Sequence, residues 1–208
     1  MPGVITGLTV QQRNKERVNV FIDGEFAFAV AMEVAIQLRK GQQLTPAEMA
    51  ELRRAGQENL VYQAALRYLG RRPRSEAEVV RYLSGKGHDA ALIDKVLEQL
   101  RRRGHVDDAA FTQFWVENRN RFRPRGRAAL RYELRQKGIE SETIDEALDE
   151  QDEEGAAWAA LSPKLDRWAE LDQAEFEQKV MGHLARRGFG YGVCRQVCQE
   201  AWRRRQAE

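Results

Sequence analysis

Leu83-Ser84-Gly85-Lys86-Gly87, Leu134-Arg135-Gln136-Lys137-Gly138 and Leu184-Ala185-Arg186-Arg187-Gly188 are three versions of one pentapeptide, 51 and 50 positions apart. Each ends in a cation followed by glycine. Eight residues before each glycine stands an apolar anchor: Val79, Leu130 or Val180. Six and ten residues after it come the pairs Ile93/Leu97, Ile144/Leu148 and Cys194/Cys198. Apolar residues at i and i+4, then glycine, then the same again, describe two amphipathic helices joined by a tight turn. The glycine suits a left-handed C′ position, and the cation before it complements the negative helix end. A period near 50 residues predicts a tandem helical array, an architecture that presents extended binding surfaces.

The preceding segment reads differently. Val4, Leu8 and Val10 lie in a strand-like stretch, and Val18-Asn19-Val20-Phe21-Ile22 runs into Asp23-Gly24, a strong two-residue hairpin signal. Phe26-Ala27-Phe28-Ala29-Val30 returns in alternation. A helix is expected near Ala31–Leu38, ending at Gly41. Thr45-Pro46-Ala47-Glu48 opens another, with Thr45 as N-cap, Pro46 at the first helical position and Glu48 closing a capping box. The expectation is a mainly α protein: a small hairpin or three-stranded unit with helices over 1–56, then three-helix repeats over 57–106, 107–151 and 152–208. Ser75 with Glu78 forms a second capping box, and Asp89 and Asp107-Asp108 sit at helix starts.

The chain has 208 residues, 42% of them hydrophobic and 32% charged, enough for a real core. Its apolar runs are too short for a membrane helix. Met1-Pro2-Gly3 leads straight into a strand without a signal-type apolar region, so the expected compartment is the cytoplasm and no membrane partner is expected. The net charge of +2 conceals segregation: +8 over 57–138, −12 over 139–178 and +5 over the last 30 residues. A basic flank of this kind suits a phosphate backbone or an acidic protein surface.

Catalytic and metal readings fail one by one. Cys194 and Cys198 occupy slots held elsewhere by Ile and Leu, where reduced cysteine is a small hydrophobe. His88, His105 and His183 are scattered. Gly188-Phe189-Gly190-Tyr191-Gly192 follows a helix rather than a strand, the wrong context for a dinucleotide loop. No cofactor, no metal and no enzymatic activity are expected. What remains is arginine. Arg71, Arg72 and Arg74 surround one turn, and Arg101, Arg102 and Arg103 end a helix. Arg119, Arg121, Arg123, Arg125 and Arg127 alternate through the Pro124-Gly126 break, and Arg127, Arg131 and Arg135 form an i, i+4 stripe. These are the candidate DNA- or protein-binding residues, since guanidinium forks suit phosphates and carboxylates. Phe122 and Tyr132 lie among them as possible stacking faces, whereas Trp115 suits core packing. Glu150, Asp152, Glu153 and Glu154 form a candidate acidic contact surface.

Three ordered motifs carry a family resemblance. The run Ala65-Leu66-Arg67-Tyr68-Leu69, Arg74-Ser75-Glu76-Ala77-Glu78, Leu83 and Lys86-Gly87 resembles the first repeat of the RecX family of recombination regulators. Val106-Asp107-Asp108, Phe111, Arg119, Gly126, Leu130, Glu133-Leu134 and Lys137-Gly138-Ile139 resemble its second, and Leu184, Arg187-Gly188-Phe189 and Tyr191 its third. The resemblance covers about residues 60–205, and the N-terminal β unit is similar to the extension of longer members. It implies an elongated crescent of three-helix repeats that acts as a monomer in the cytoplasm. It also implies binding in the groove of the RecA–single-stranded DNA filament. There it would inhibit filament extension, ATP hydrolysis, strand exchange and coprotease activity, and so restrain recombination, DNA repair and the SOS response. Contact with single-stranded DNA itself would be weak and non-specific. A direct helix-turn-helix DNA regulator is the rival. Its recognition helices would begin with Asp89-Ala90-Ala91, Glu140-Ser141-Glu142 and Gly190-Tyr191-Gly192, poor material for reading bases.

Overall fold

The structure, a computed structural model, describes residues 1–207. Three strands open the chain: β1 (Gly3–Val10), β2 (Arg17–Ile22) and β3 (Glu25–Ala31). The β2–β3 turn is the expected one, with Asp23 at φ 52° and Gly24 at φ 92°, both left-handed as a two-residue hairpin of matching twist requires. A two-residue strand, β4 (Gln43–Leu44), pairs antiparallel with β1 and completes a sheet of order β3-β2-β1-β4. This strand was not expected, and it shortens the helix before it. Helix α1 covers only Met32–Ala35 rather than reaching Leu38, because Gly41 and Gln42 must already bond to Ile5 along β1.

Helix α2 (Pro46–Leu69) begins with the predicted box: Glu48 N–H donates to Thr45 Oγ1, and Thr45 N–H donates to Glu48 Oε2. It then runs unbroken through residues 56 and 57. At Gly56 it crosses β3 so closely that a Cβ would stand 2.1 Å from the Ala29 carbonyl oxygen. Buried Arg17 fastens this crossing by donating to the carbonyls of Gly56 (3.2 Å) and Ala29 (3.0 Å). The sheet and α2 enclose a core of Ile5, Val18, Val20, Phe28, Val30, Ala35 and Leu44.

The helices that follow are α3 (Glu76–Ser84), α4 (Ala90–Arg102), α5 (Asp108–Phe122), α6 (Arg127–Gln136), α7 (Ser141–Asp149), α8 (Glu153–Leu161), α9 (Gln173–Ala185) and α10 (Tyr191–Ala207). Two single 3-10 turns, Ser162–Lys164 and Asp166–Trp168, lie between α8 and α9, where Pro163 denies the helix a donor. The expected break at Pro124 to Gly126 is therefore present, and the chain breaks again at Ser162-Pro163. Each set of three helices closes its own core: Val61, Ala65, Val79, Leu83, Ile93 and Leu97 in the first, Phe111, Leu130, Leu134, Ile144 and Leu148 in the second, Leu161, Phe176, Val180, Leu184, Cys194 and Cys198 in the third. Both cysteines are reduced and buried. The motif glycines Gly87, Gly138 and Gly188 have φ of 82°, 81° and 83°, one left-handed turn used three times.

Two compact units are distinguished: residues 1–73 with 79–106, and residues 74–78 with 107–208. The second contains one junction built twice. Ser75, N-cap residue of α3, donates from Oγ to the Lys137 carbonyl at 2.6 Å. Gly126, N-cap of α6 and 51 positions later, donates its N–H to the Arg187 carbonyl at 3.0 Å. The carbonyl of the residue before the motif glycine is the acceptor both times. Each glycine lies against a small residue of the helix so joined, Gly138 on Ala77 and Gly188 on Ala129.

Candidate functional site

The thirteen candidate arginines are divided between the two units. In the first unit, Arg71 and Arg72 are exposed after α2, with Arg72 Nη1 donating to the Pro73 carbonyl. Arg101 and Arg102 are exposed at the end of α4, while Arg103 lies 5.1 Å over the Tyr62 ring and donates to its hydroxyl. Arg74, in the second unit, is 3.6 Å from Glu78.

The second unit divides its arginines into two groups. Arg119 Nε donates to Glu133 Oε2 at 2.7 Å, beside the Trp115 Nε1 donor at 2.9 Å. Arg127 makes an ion pair with Glu153 (3.7 Å) and donates to the Gln151 carbonyl. Arg131 is held by Asp145 across the α6–α7 pair. These cations are bound to the carboxylates of neighbouring helices, so two members of the i, i+4 stripe have partners within the fold. Arg121, Arg123 and Arg135 remain exposed. Trp115 packs on the Phe111–Leu148 core and carries Arg119 and Lys137 over its ring. Phe122 and Tyr132 are each 66% exposed, and Arg121 lies 5.2 Å above the Phe122 ring.

The acidic candidates have local work as well. Asp152 caps α8 through Gly155 N–H, and Glu153 accepts from the Arg127 N–H at the start of α6. Glu154 accepts from Gln196. Glu150 is exposed beside the buried Gln151, whose amide donates to Asn120 and the Arg125 carbonyl. Among the described residues, no three His, Cys, Asp or Glu side chains stand together as metal ligands.

In the sequence Arg187 marks only a helix end. Its Nη1 reaches the Pro124 carbonyl at 3.5 Å, and its Nε lies 3.1 Å from His183 Nε2. The same imidazole nitrogen is 3.1 Å from the Ala160 carbonyl, and one ring nitrogen satisfies only one of these neighbours. Burial, then the charges of Arg125 and Arg123, hold the Arg187 guanidinium below its ordinary pKa. Burial also lowers His183, opposed by the Ala160 carbonyl and reinforced by Arg187, Lys164 and Arg186. The sequence signal for Arg187 was its equivalence to Lys137. For Glu133, which gathers Trp115 and Arg119, no periodic signal existed.

Four family models match in order: the regulatory protein RecX N-terminal domain at 3–45, and the RecX first, second and third three-helix domains at 62–100, 107–148 and 152–198. A regulatory protein RecX of Bacillus licheniformis is 33% identical over 201 residues, covering 94% of this chain and 76% of the relative. One from Clostridium beijerinckii is 31% identical over 205 residues and covers 94% of each. A crystal structure of a regulatory protein RecX superposes with a TM-score of 0.75 at 29% identity, over 94% of this chain and 98% of the other. The RecX crystal structure from Lactobacillus salivarius, with TM-score 0.64 and 20% identity over 69% of this chain and 96% of its own, shares the fold. With its four segments matched in sequence and its repeats matched in three dimensions, this chain belongs to the RecX family of regulatory proteins.

Proposed function

We propose that this chain is a non-catalytic negative regulator of a RecA-family recombinase. In this reading it lodges in the groove of the filament that RecA forms on single-stranded DNA. It slows filament extension, ATP hydrolysis, strand exchange and the coprotease reaction, and so restrains recombination, repair and the SOS response in the cytoplasm. The observation that carries the reading is the similarity to regulatory proteins RecX across all four segments of the chain. The surface chemistry supports it. Arg121, Phe122 and Arg123 stand exposed at the end of α5, a cationic and aromatic group suited to a nucleoprotein partner. The acidic stretch from Glu140 to Glu177 offers the opposite sign for basic recombinase loops.

Titration of the protein into RecA with single-stranded DNA and ATP tests this directly. ATP turnover should fall as the protein approaches stoichiometric ratios with the filament. Unchanged turnover and unchanged filament length at excess protein would remove the proposal. Tight binding to one duplex sequence above physiological salt would favour a direct DNA-binding regulator instead.

A further inference from the structure

Three arginines from two repeats meet at one loop. The loop Arg123-Pro124-Arg125 joins α5 to α6, and the Arg187 guanidinium reaches its central carbonyl at 3.5 Å. The backbone closes the same contact from the other side, where Gly126 N–H donates to the Arg187 carbonyl. Arg187 is half-buried and has no carboxylate within ion-pair distance among the described residues. Arg125 Nε is buried without a hydrogen-bond partner; Glu133 Oε1 lies 3.8 Å from it, while Glu133 Oε2 accepts from Arg119 and Trp115. Arg123 is exposed, and its charge acts with that of Arg125 on the Arg187 guanidinium.

Neighbouring positions show how this fold neutralises cations that it holds internally. Arg119, Arg127 and Arg131 each have a carboxylate from another helix. Among the described residues, the Arg123–Arg125–Arg187 group has one ion-paired carboxylate, Glu133, which it shares with Arg119, for three positive charges. Like charges held together repel, and a bound anion relieves that repulsion. Guanidinium forks match the oxygens of a phosphate, and converging forks from separate segments can surround one. Phe122 precedes Arg123 directly and presents an exposed ring. An aromatic face beside a phosphate site favours a nucleic-acid strand with unpaired bases over a carboxylate or a free anion.

We propose that Arg123, Arg125 and Arg187 together form a binding site for one backbone phosphate of single-stranded nucleic acid, with Phe122 offering its face to an adjoining base. The proposal deepens the nucleic-acid part of the function proposed above and rests on it. Arg187 enters the site because the repeat places its motif cation against the preceding repeat's second helix. Lys137, the equivalent cation, is instead paired with Glu78 at 3.0 Å.

The test is anisotropy of a fluorescein-labelled oligothymidylate with the full chain, at roughly 50 to 300 mM salt and without recombinase, so its outcome is separate from the ATPase titration. One single-strand phosphate contributes about −0.7 to the slope of log affinity against log salt, equivalent to about fivefold in affinity at 0.1 M. The triple variant Arg123→Gln, Arg125→Gln, Arg187→Gln should lose about that slope and that affinity, the amount due to one phosphate. Phe122→Ala should weaken binding with the slope unchanged. Arg123→Gln alone, at an exposed position, should fold as wild type and bind at least about twofold more weakly. An unchanged slope in the folded triple variant, or wild-type affinity in Arg123→Gln, overturns the site. A loss near −2.1 shows three separate phosphates and overturns a shared one. Inorganic phosphate displacing the oligonucleotide at constant ionic strength, with Phe122→Ala binding as wild type, shows a free-anion site and overturns the nucleic-acid assignment.

Discussion

Alanine placed singly at Gly87, Gly138 and Gly188 would separate the cost of a backbone conformation from the cost of a junction. All three glycines have φ within two degrees of one another, between 81° and 83°. The left-handed conformation therefore penalises alanine equally at each, by about 1–2 kcal/mol. The surroundings differ. A Cβ at Gly87 meets nothing within 4 Å. At Gly138 it would stand 2.4 Å from Ala77 Cβ, and at Gly188 it would stand 2.5 Å from Ala129 Cβ and 2.6 Å from Ala129 N. Real Cβ contacts lie near 3.5–4 Å, and an alanine methyl cannot swing aside. Backbone must move by about 1 Å, an overpacking cost of about 1–3 kcal/mol. At Gly188 the obstacle includes main chain at the start of α6, so the cost there lies at the top of that range. The expected ranking of destabilisation is Gly188→Ala, then Gly138→Ala, then Gly87→Ala, with about 1–3 kcal/mol between the extremes. Thermal unfolding followed by circular dichroism would read that interval as about 2–12 °C for a chain of this size. Gly190→Ala, with open space and no positive φ, is the control and should change little. Equal losses at Gly87, Gly138 and Gly188 would refute the junction reasoning.

Other perturbations follow from the same geometry. Cys194 and Cys198 fill apolar slots, so the double replacement by Val should cost at most about 1.5 kcal/mol and leave the proposed recombinase inhibition intact. Burial pushes the Cys198 thiol up to about 11, so in native protein it should resist a thiol reagent at neutral pH and react readily after denaturation. Glu133→Gln keeps the size of the side chain but removes the charge that accepts from Arg119 and Trp115. It should lower stability by about 1–3 kcal/mol in urea unfolding, and a neutral result would show that this carboxylate holds nothing together. His183 has a folded pKa below its ordinary value, so the native state binds its proton less readily than the unfolded state. Its contribution is present above the unfolded pKa near 6.5 and is lost as pH falls toward the folded pKa. His183→Gln should flatten the acid side of the stability profile, and an identical profile would count against this coupling.

The elements were legible where the determining interactions are local. Thr45 with Glu48, Ser75 with Glu78, and Asp89 and Asp107 as N-caps each bond within three residues, so spacing alone reveals them. The Asp23-Gly24 hairpin and the three motif glycines are local in the same sense. Strand β4 was not legible, because two residues carry no periodicity and its pairing depends on β1, about 40 positions away in sequence. The continuity of α2 past Gly56 was also hidden. Glycine there serves close packing on β3 rather than a break, a reason that lies wholly in the partner strand.

By itself the sequence determined the helical repeats, their turns, their separate cores and the family they belong to. Those follow from apolar spacing and capping, which act over one or two helical turns. Tertiary structure decided what each arginine does. Arg119, Arg127 and Arg131 look like Arg121 and Arg123 in composition and spacing, yet their charges are bound by Glu133, Glu153 and Asp145, 14 to 26 residues distant. Arg187 acquires its neighbours from a loop more than 60 positions earlier. A guanidinium is long and has the same charge everywhere, so only the position of other helices determines whether it is neutralised within the fold or left facing an anionic partner.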